Sequence, residues 1–93
     1  MLGEKLKELR EAKGLMQRQV AAELEVDTAY ISKMENNDKP VSLKHLKKMA
    51  KLYDVNEKEL LTLRLADKIL NTVNKHPYRN EAILLVYNNM NNG

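Results

Sequence analysis

Apolar residues recur along this chain at steps of three and four, and polar or Gly- and Pro-containing breaks divide the pattern into amphipathic stretches. Leu2, Leu6 and Leu9 form one stripe with Glu4, Lys5, Lys7, Glu8 and Glu11 opposite, which predicts a first helix over Leu2 to Lys13. Gly14 closes it, because glycine takes the left-handed conformation that ends a helix. Two short segments follow around a break at Glu25-Val26. Val20, Ala21 and Leu24 are the apolar set of the first, and Val26, Tyr30, Ile31 and Met34 that of the second. The small Ala21 lets the two backbones cross closely, and Asp27 is placed to cap the second helix with its carboxylate. Ser42 caps a fourth helix, Leu43 to Tyr53, whose inward stripe is Leu43, Leu46, Met49, Ala50 and Tyr53. Asn56 with Glu59 three residues on makes a capping-box-like start for a long fifth helix that ends at His76-Pro77. A last helix, about Asn80 to Met90, precedes an Asn-rich tail expected to fray.

On the fifth helix Leu61, Leu65, Ile69 and Val73 form one stripe and Leu60, Leu63, Ala66 and Leu70 a second. A surface that wide calls for two partners, the N-terminal core and a second copy of the chain. Ile83, Val86 and Tyr87 of the last helix join Leu63 and Leu70 as expected dimer-interface residues. A chain of 93 residues buries only about two-thirds of its unfolded surface, so a partner subunit adds needed core. Charge is dense before Leu60 and sparse after it, which places a soft boundary there: 1–60 as one unit and 61–93 as a helical dimerisation extension.

Composition narrows the chemistry. The chain is 43% hydrophobic without Phe or Trp, so its core is aliphatic, and its Leu, Lys, Glu and Ala content with 3 Gly and 2 Pro favours an all-α fold. There is no cysteine, which removes disulfides and thiolate chemistry and suits a reducing compartment. No apolar run approaches membrane-spanning length and no signal-peptide block opens the chain, so a cytoplasmic location is expected. His45 and His76 have no ligand-spaced His, Cys or carboxylate neighbours, and no Gly-rich phosphate loop or nucleophile motif is present. Neither a metal, a cofactor, a small-molecule ligand nor an enzyme activity is expected. Net charge is +3 with pI ≈ 9.2, a modest excess, so any contact with nucleic acid must come from where the cations sit. Lys44, Lys47, Lys48 and Lys51 lie off the inward stripe of the fourth helix, as a solvated face or as a phosphate-facing one.

Two short helices around a tight break, sharing one core, have the layout of a helix-turn-helix. With Gly14-Leu15-Met16-Gln17 before it and Val26-Asp27-Thr28-Ala29-Tyr30-Ile31-Ser32-Lys33-Met34-Glu35-Asn36 across it, the sequence resembles the Xre/Cro-type helix-turn-helix family over about Leu2 to Leu60. The size and helical tail are similar to the controller proteins of restriction–modification systems. The resemblance implies a five-helix, lambda-repressor-like domain whose third helix, Asp27 to Glu35, enters the major groove of double-stranded DNA. It implies base contacts from Thr28, Ala29, Ser32 and Lys33: hydroxyls serve either role, methyls suit thymine, and lysine suits guanine O6 and N7. Backbone contacts fall to Gln17, Arg18, Asn36, Lys39 and Lys44. Arg10 and Glu35 occupy positions that commonly pair in the family, which assigns them to structure.

Two positions depart from the family pattern. Met16 stands where a Ser or Thr caps the second helix, and Glu25 where Gly is common in the turn. The reading is a homodimeric transcriptional regulator on a pseudo-palindromic operator. The alternative, of a different class, is a protein-interaction module such as an antitoxin using the same fold.

Overall fold

The computed structural model describes residues 1–92. They form six helices and no strand: α1 (Leu2–Ala12), α2 (Gln17–Leu24), α3 (Thr28–Glu35), α4 (Leu43–Leu52), α5 (Glu57–Val73) and α6 (Arg79–Asn92).

The punctuation of these helices is local chemistry. Gly14 ends α1 in the left-handed region at φ +67°. The Ser42 hydroxyl accepts from the His45 amide at 3.2 Å at the head of α4, and the Asn56 carboxamide accepts from the Lys58 amide at 2.9 Å at the head of α5. Glu59 does not return the second half of a capping box; it points to Lys5 of α1, 3.4 Å away. Helix α1 lacks a cap from its own sequence and borrows one from α5: Asp67 accepts from the Leu2 amide at 2.9 Å and from the terminal amine at 3.0 Å.

Leu2 and Leu6 of α1, Val20, Ala21 and Leu24 of α2, Ile31 and Met34 of α3, Leu46, Met49 and Ala50 of α4, and Leu60 of α5 close one core with Val41 and Tyr53. Helix α2 packs chiefly on α3, α4 on α5, and α1 on α3. Gly3 is what allows the last of these contacts. A Cβ built there would lie 2.6 Å from the Glu35 carbonyl oxygen and 2.8 Å from that of Met34, so only glycine lets α1 come so close to the end of α3.

The structure corrects two expectations. Leu43 does not join the inward stripe of α4 but is half exposed, while Leu46 one turn on is fully buried. The Asn-rich tail does not fray over its described length, being helical through Asn92; Gly93 lies outside the described residues. Helix α5 runs uninterrupted across Leu60 and Leu61.

Beyond Leu60, α5 leaves the core. Leu61 and Leu63 pack against it from the side, whereas Leu65, Ile69 and Leu70 face solvent. Helix α6 buries no residue and packs extensively on no other helix. The radius of gyration is accordingly 15.4 Å, against about 12 Å for a compact chain of this length.

Candidate nucleic-acid interface

The turn between α2 and α3 is built on a left-handed residue. Glu25 sits at φ 58°, ψ 45°, and the bond from the Val26 amide to the Ala21 carbonyl, 3.0 Å, closes the end of α2 across it. A side chain in this conformation costs roughly 1 kcal/mol relative to glycine, which packing of Val20, Ala21 and Leu24 against α3 outweighs. At the head of α2, Met16 supplies no oxygen cap, but the Gln19 carboxamide oxygen accepts from the Met16 amide at 2.8 Å. That glutamine three residues past the cap was a readable signal in the sequence.

Helix α3 turns Ile31, Met34 and Glu35 inward and leaves Thr28, Ala29 and Lys33 exposed, with Ser32 half-buried at the edge. Its orientation is fixed by a polar knot on its inner side. The Arg10 guanidinium reaches the Glu35 carboxylate through Nε at 2.7 Å and Nη2 at 3.1 Å, and donates through Nη1 to the Leu15 carbonyl at 2.8 Å. Gln17 donates from its amide nitrogen to the same carboxylate at 3.0 Å. The Glu35 side chain is 1% exposed, so the knot joins α1, α2 and α3 around a buried carboxylate. Its hydrogen bonds to Glu35 raise the pKa of Arg10 and hold the guanidinium in its charged form.

A second tether holds the far end of α3. Asn37, left-handed at φ 63°, accepts from the Gly3 amide at 3.0 Å and donates to the Glu4 carboxylate, which lowers the pKa of Glu4. Arg64 of α5 donates to the Val41 carbonyl at 2.8 Å, fixing the loop before α4. Sequence reasoning missed Asn37, Gly3, Arg64 and Asp67. The Asn36-Asn37-Asp38 run after α3 hinted at a left-handed residue, but nothing local marked the other three.

The expected backbone-contact residues lie on α2, in the segment after α3 and at the start of α4. Arg18, Asn36, Lys39 and Lys44 are exposed, and the three cations among them, like Lys33, form no ion pair among the described residues. Gln17 is half-buried with its amide nitrogen committed to Glu35, so what the start of α2 offers an anion is its free backbone amides. Asn36 donates weakly to the Ser32 hydroxyl at 3.5 Å. Tyr30 is half-buried, its ring in a T-shaped contact with His45 at 6.1 Å, so the ring is used in packing.

Asp27 requires a correction. It occupies the cap position of α3 with extended backbone, φ −68° and ψ 146°, but its carboxylate accepts no bond from the helix. The Tyr30 amide bonds to the Asp27 backbone carbonyl instead, at 3.0 Å. The carboxylate is therefore not drawn inward; it is exposed at the tip of the helix.

The expected interface residues Leu70, Ile83, Val86 and Tyr87 are all exposed, with Leu63 half-buried against the core. No group of three or more His, Cys, Asp or Glu among the described residues is arranged to hold a metal, and no helix is long and apolar enough to cross a membrane.

A family model described as "HTH_3: Helix-turn-helix" matches residues 6–60. Among solved structures, the restriction-modification controller protein C.AhdI from Aeromonas hydrophila is 37% identical over 63% of this chain and 89% of that one, with a TM-score of 0.58. A chain of the SinR protein/SinI protein complex is 22% identical over 99% of this chain and 98% of that one, with a TM-score of 0.60, a likeness of fold alone. No curated protein matches.

Proposed function

The chain belongs to the helix-turn-helix family, and from that premise we propose that it is a sequence-specific regulator of transcription that binds double-stranded DNA as a homodimer. One observation carries the reading: a helix locked on its inner face presents small, polar and cationic side chains on its outer face, with exposed cations, unpaired among the described residues, on α2, after α3 and on α4. Thr28, Ala29, Ser32 and Lys33 read base edges, while Arg18, Asn36, Lys39, Lys44 and the free amides of Gln17 and Arg18 meet phosphates. The likeness to a restriction–modification controller supports regulation by occupancy of promoter DNA.

The pairing surface is the second half of α5 with α6. Leu70, Ile83, Val86 and Tyr87 are exposed, α6 buries no residue of its own, and an uncovered helix of 14 residues is marginal in water. A second copy laid against it, with Leu63 at the margin, makes residues 1–60 the reading unit and 61–93 the pairing unit. Two recognition helices about 34 Å apart then face successive major grooves on one side of a pseudo-palindrome.

Selection of bound duplexes from random DNA tests both halves of the proposal, since it recovers operator and symmetry together. An inverted repeat with half-sites one turn apart is expected, with affinity falling steeply as salt rises. Equal, salt-insensitive affinity for every duplex contradicts the reading. Light scattering at micromolar concentration should give the mass of two chains; a monomer contradicts the role given to α5 and α6. A second reading is favoured by one observation: the apolar side chains of α6 are exposed and no other helix of the described chain packs extensively on them. In that reading the apolar α5–α6 surface takes a partner protein, and a stable hetero-complex without DNA binding distinguishes it.

A further inference from the structure

We propose that the free carboxylate of Asp27 reads a cytosine, accepting a hydrogen bond from its exocyclic N4 amino group in the major groove; this rests on the DNA-binding function proposed above. Asp27 stands at the leading tip of α3, exposed, outside any ion pair among the described residues and without a hydrogen bond to the helix it precedes. Phosphates line both walls of the groove, so a carboxylate carried into it is repelled everywhere except where a donor meets it. Helix capping does not account for the residue, because the acceptor that the Tyr30 amide uses is the backbone carbonyl.

The chemistry of the groove selects the donor. Guanine shows only acceptors, N7 and O6, and thymine an acceptor and a methyl group. Adenine shows its N6 amino group beside the N7 acceptor, a pair suited to an amide and hostile on one side to a carboxylate. Cytosine alone offers an amino group with no acceptor beside it on the same base. A short, single carboxylate therefore prefers cytosine and rejects guanine most strongly. Thr28 and Ala29, exposed on the next two positions of the helix, place this cytosine beside the bases they meet. An acidic residue thereby contributes specificity rather than affinity, which suits a reading face made otherwise of two hydroxyls, a methyl and one lysine.

The test uses the full chain, unsubstituted and as Asp27→Ala and Asp27→Asn, each taken through selection from random duplexes. Fluorescence anisotropy on the recovered site and on the same site with the C·G pair reversed then gives the discrimination. The unsubstituted protein is expected to enrich one cytosine per half-site and to prefer it to guanine by roughly 5- to 150-fold. Asp27→Ala should lose that preference while binding random duplex more tightly, and Asp27→Asn should move the preference toward adenine. Both variants should keep the unfolding midpoint, since the side chain holds nothing. If Asp27→Ala recovers the same bases at every position, or tightens on all duplexes by one factor, the carboxylate is only a repulsive group and the inference is overturned. A protein that selects no sequence even when unsubstituted overturns the DNA-binding reading itself, so the two failures are distinct.

Discussion

Replacing Arg10 with alanine strikes the point where three helices are tied together. The Glu35 carboxylate accepts three hydrogen bonds, two from Arg10 at 2.7 and 3.1 Å and one from Gln17 at 3.0 Å. Arg10→Ala removes two of them and the only positive charge in the knot, and it leaves the Leu15 carbonyl without its donor. What remains is a carboxylate with a 1% exposed side chain and no counter-charge. Breaking a buried pair in this way costs about 3–5 kcal/mol, against about 0–1 kcal/mol for an exposed pair. A domain of this length is stable by roughly 5–14 kcal/mol in all, so the loss takes a large share of its stability. Urea unfolding followed by far-UV circular dichroism, with a slope of roughly 1–1.5 kcal/mol/M, should show the midpoint falling by about 2–5 M. The double variant Arg10→Met, Glu35→Leu removes the stranded charge as well, and should recover to within about 1 kcal/mol of the unsubstituted protein or exceed it. A single-variant loss below about 1 kcal/mol, or a double variant as unstable as the two singles summed, refutes the argument.

Gly3→Ala forces a methyl group to within 2.8 Å of the Met34 and Glu35 carbonyl oxygens. The overpacking, about 1–3 kcal/mol, outweighs a helix-propensity gain of up to about 1 kcal/mol, so a lower melting temperature is expected and an unchanged or higher one contradicts the close approach. The buried Tyr53 hydroxyl has no hydrogen-bond partner, so Tyr53→Phe should stabilise by about 1 kcal/mol; a loss of that size in urea unfolding would mean the hydroxyl is satisfied. Burial pushes the Tyr53 pKa up to about 12, so the folded state keeps its proton where the unfolded chain releases it near 10. Stability is therefore full below pH 10 and declines as pH rises toward 12, a decline that Tyr53→Phe should flatten in a series of melting curves. Lys33→Ala should change base preference, while Lys44→Ala should weaken all duplexes alike and reduce the salt slope by about one, as measured by titrations at several salt concentrations.

Most of the helix punctuation was legible because it is chemistry between residues a few positions apart. Gly14, Ser42 and Asn56 act within one turn of where they stand, and the repeat of Leu2 and Leu6, or of Leu46, Met49 and Ala50, needs only the 3.6-residue period to declare a buried face. The same period misplaced Leu43, since a stripe states which side of a helix is apolar and not how far along its length the neighbour reaches. It also could not decide between capping and exposure for Asp27, because both place the residue at the same position and differ only in the direction of a side chain.

The sequence by itself therefore determined the helices, the outward face of α3 from Thr28 to Lys33 and the surplus of apolar residues after Leu60. Tertiary structure alone decided what those pieces touch. Asp67 caps a helix 65 residues away, Gly3 yields to the end of α3, and Gln17 turns its amide to Glu35 rather than outward. The reason is that helical period and caps are fixed by neighbours along the chain, whereas these partners meet only once the helices have crossed at their particular angles and depths.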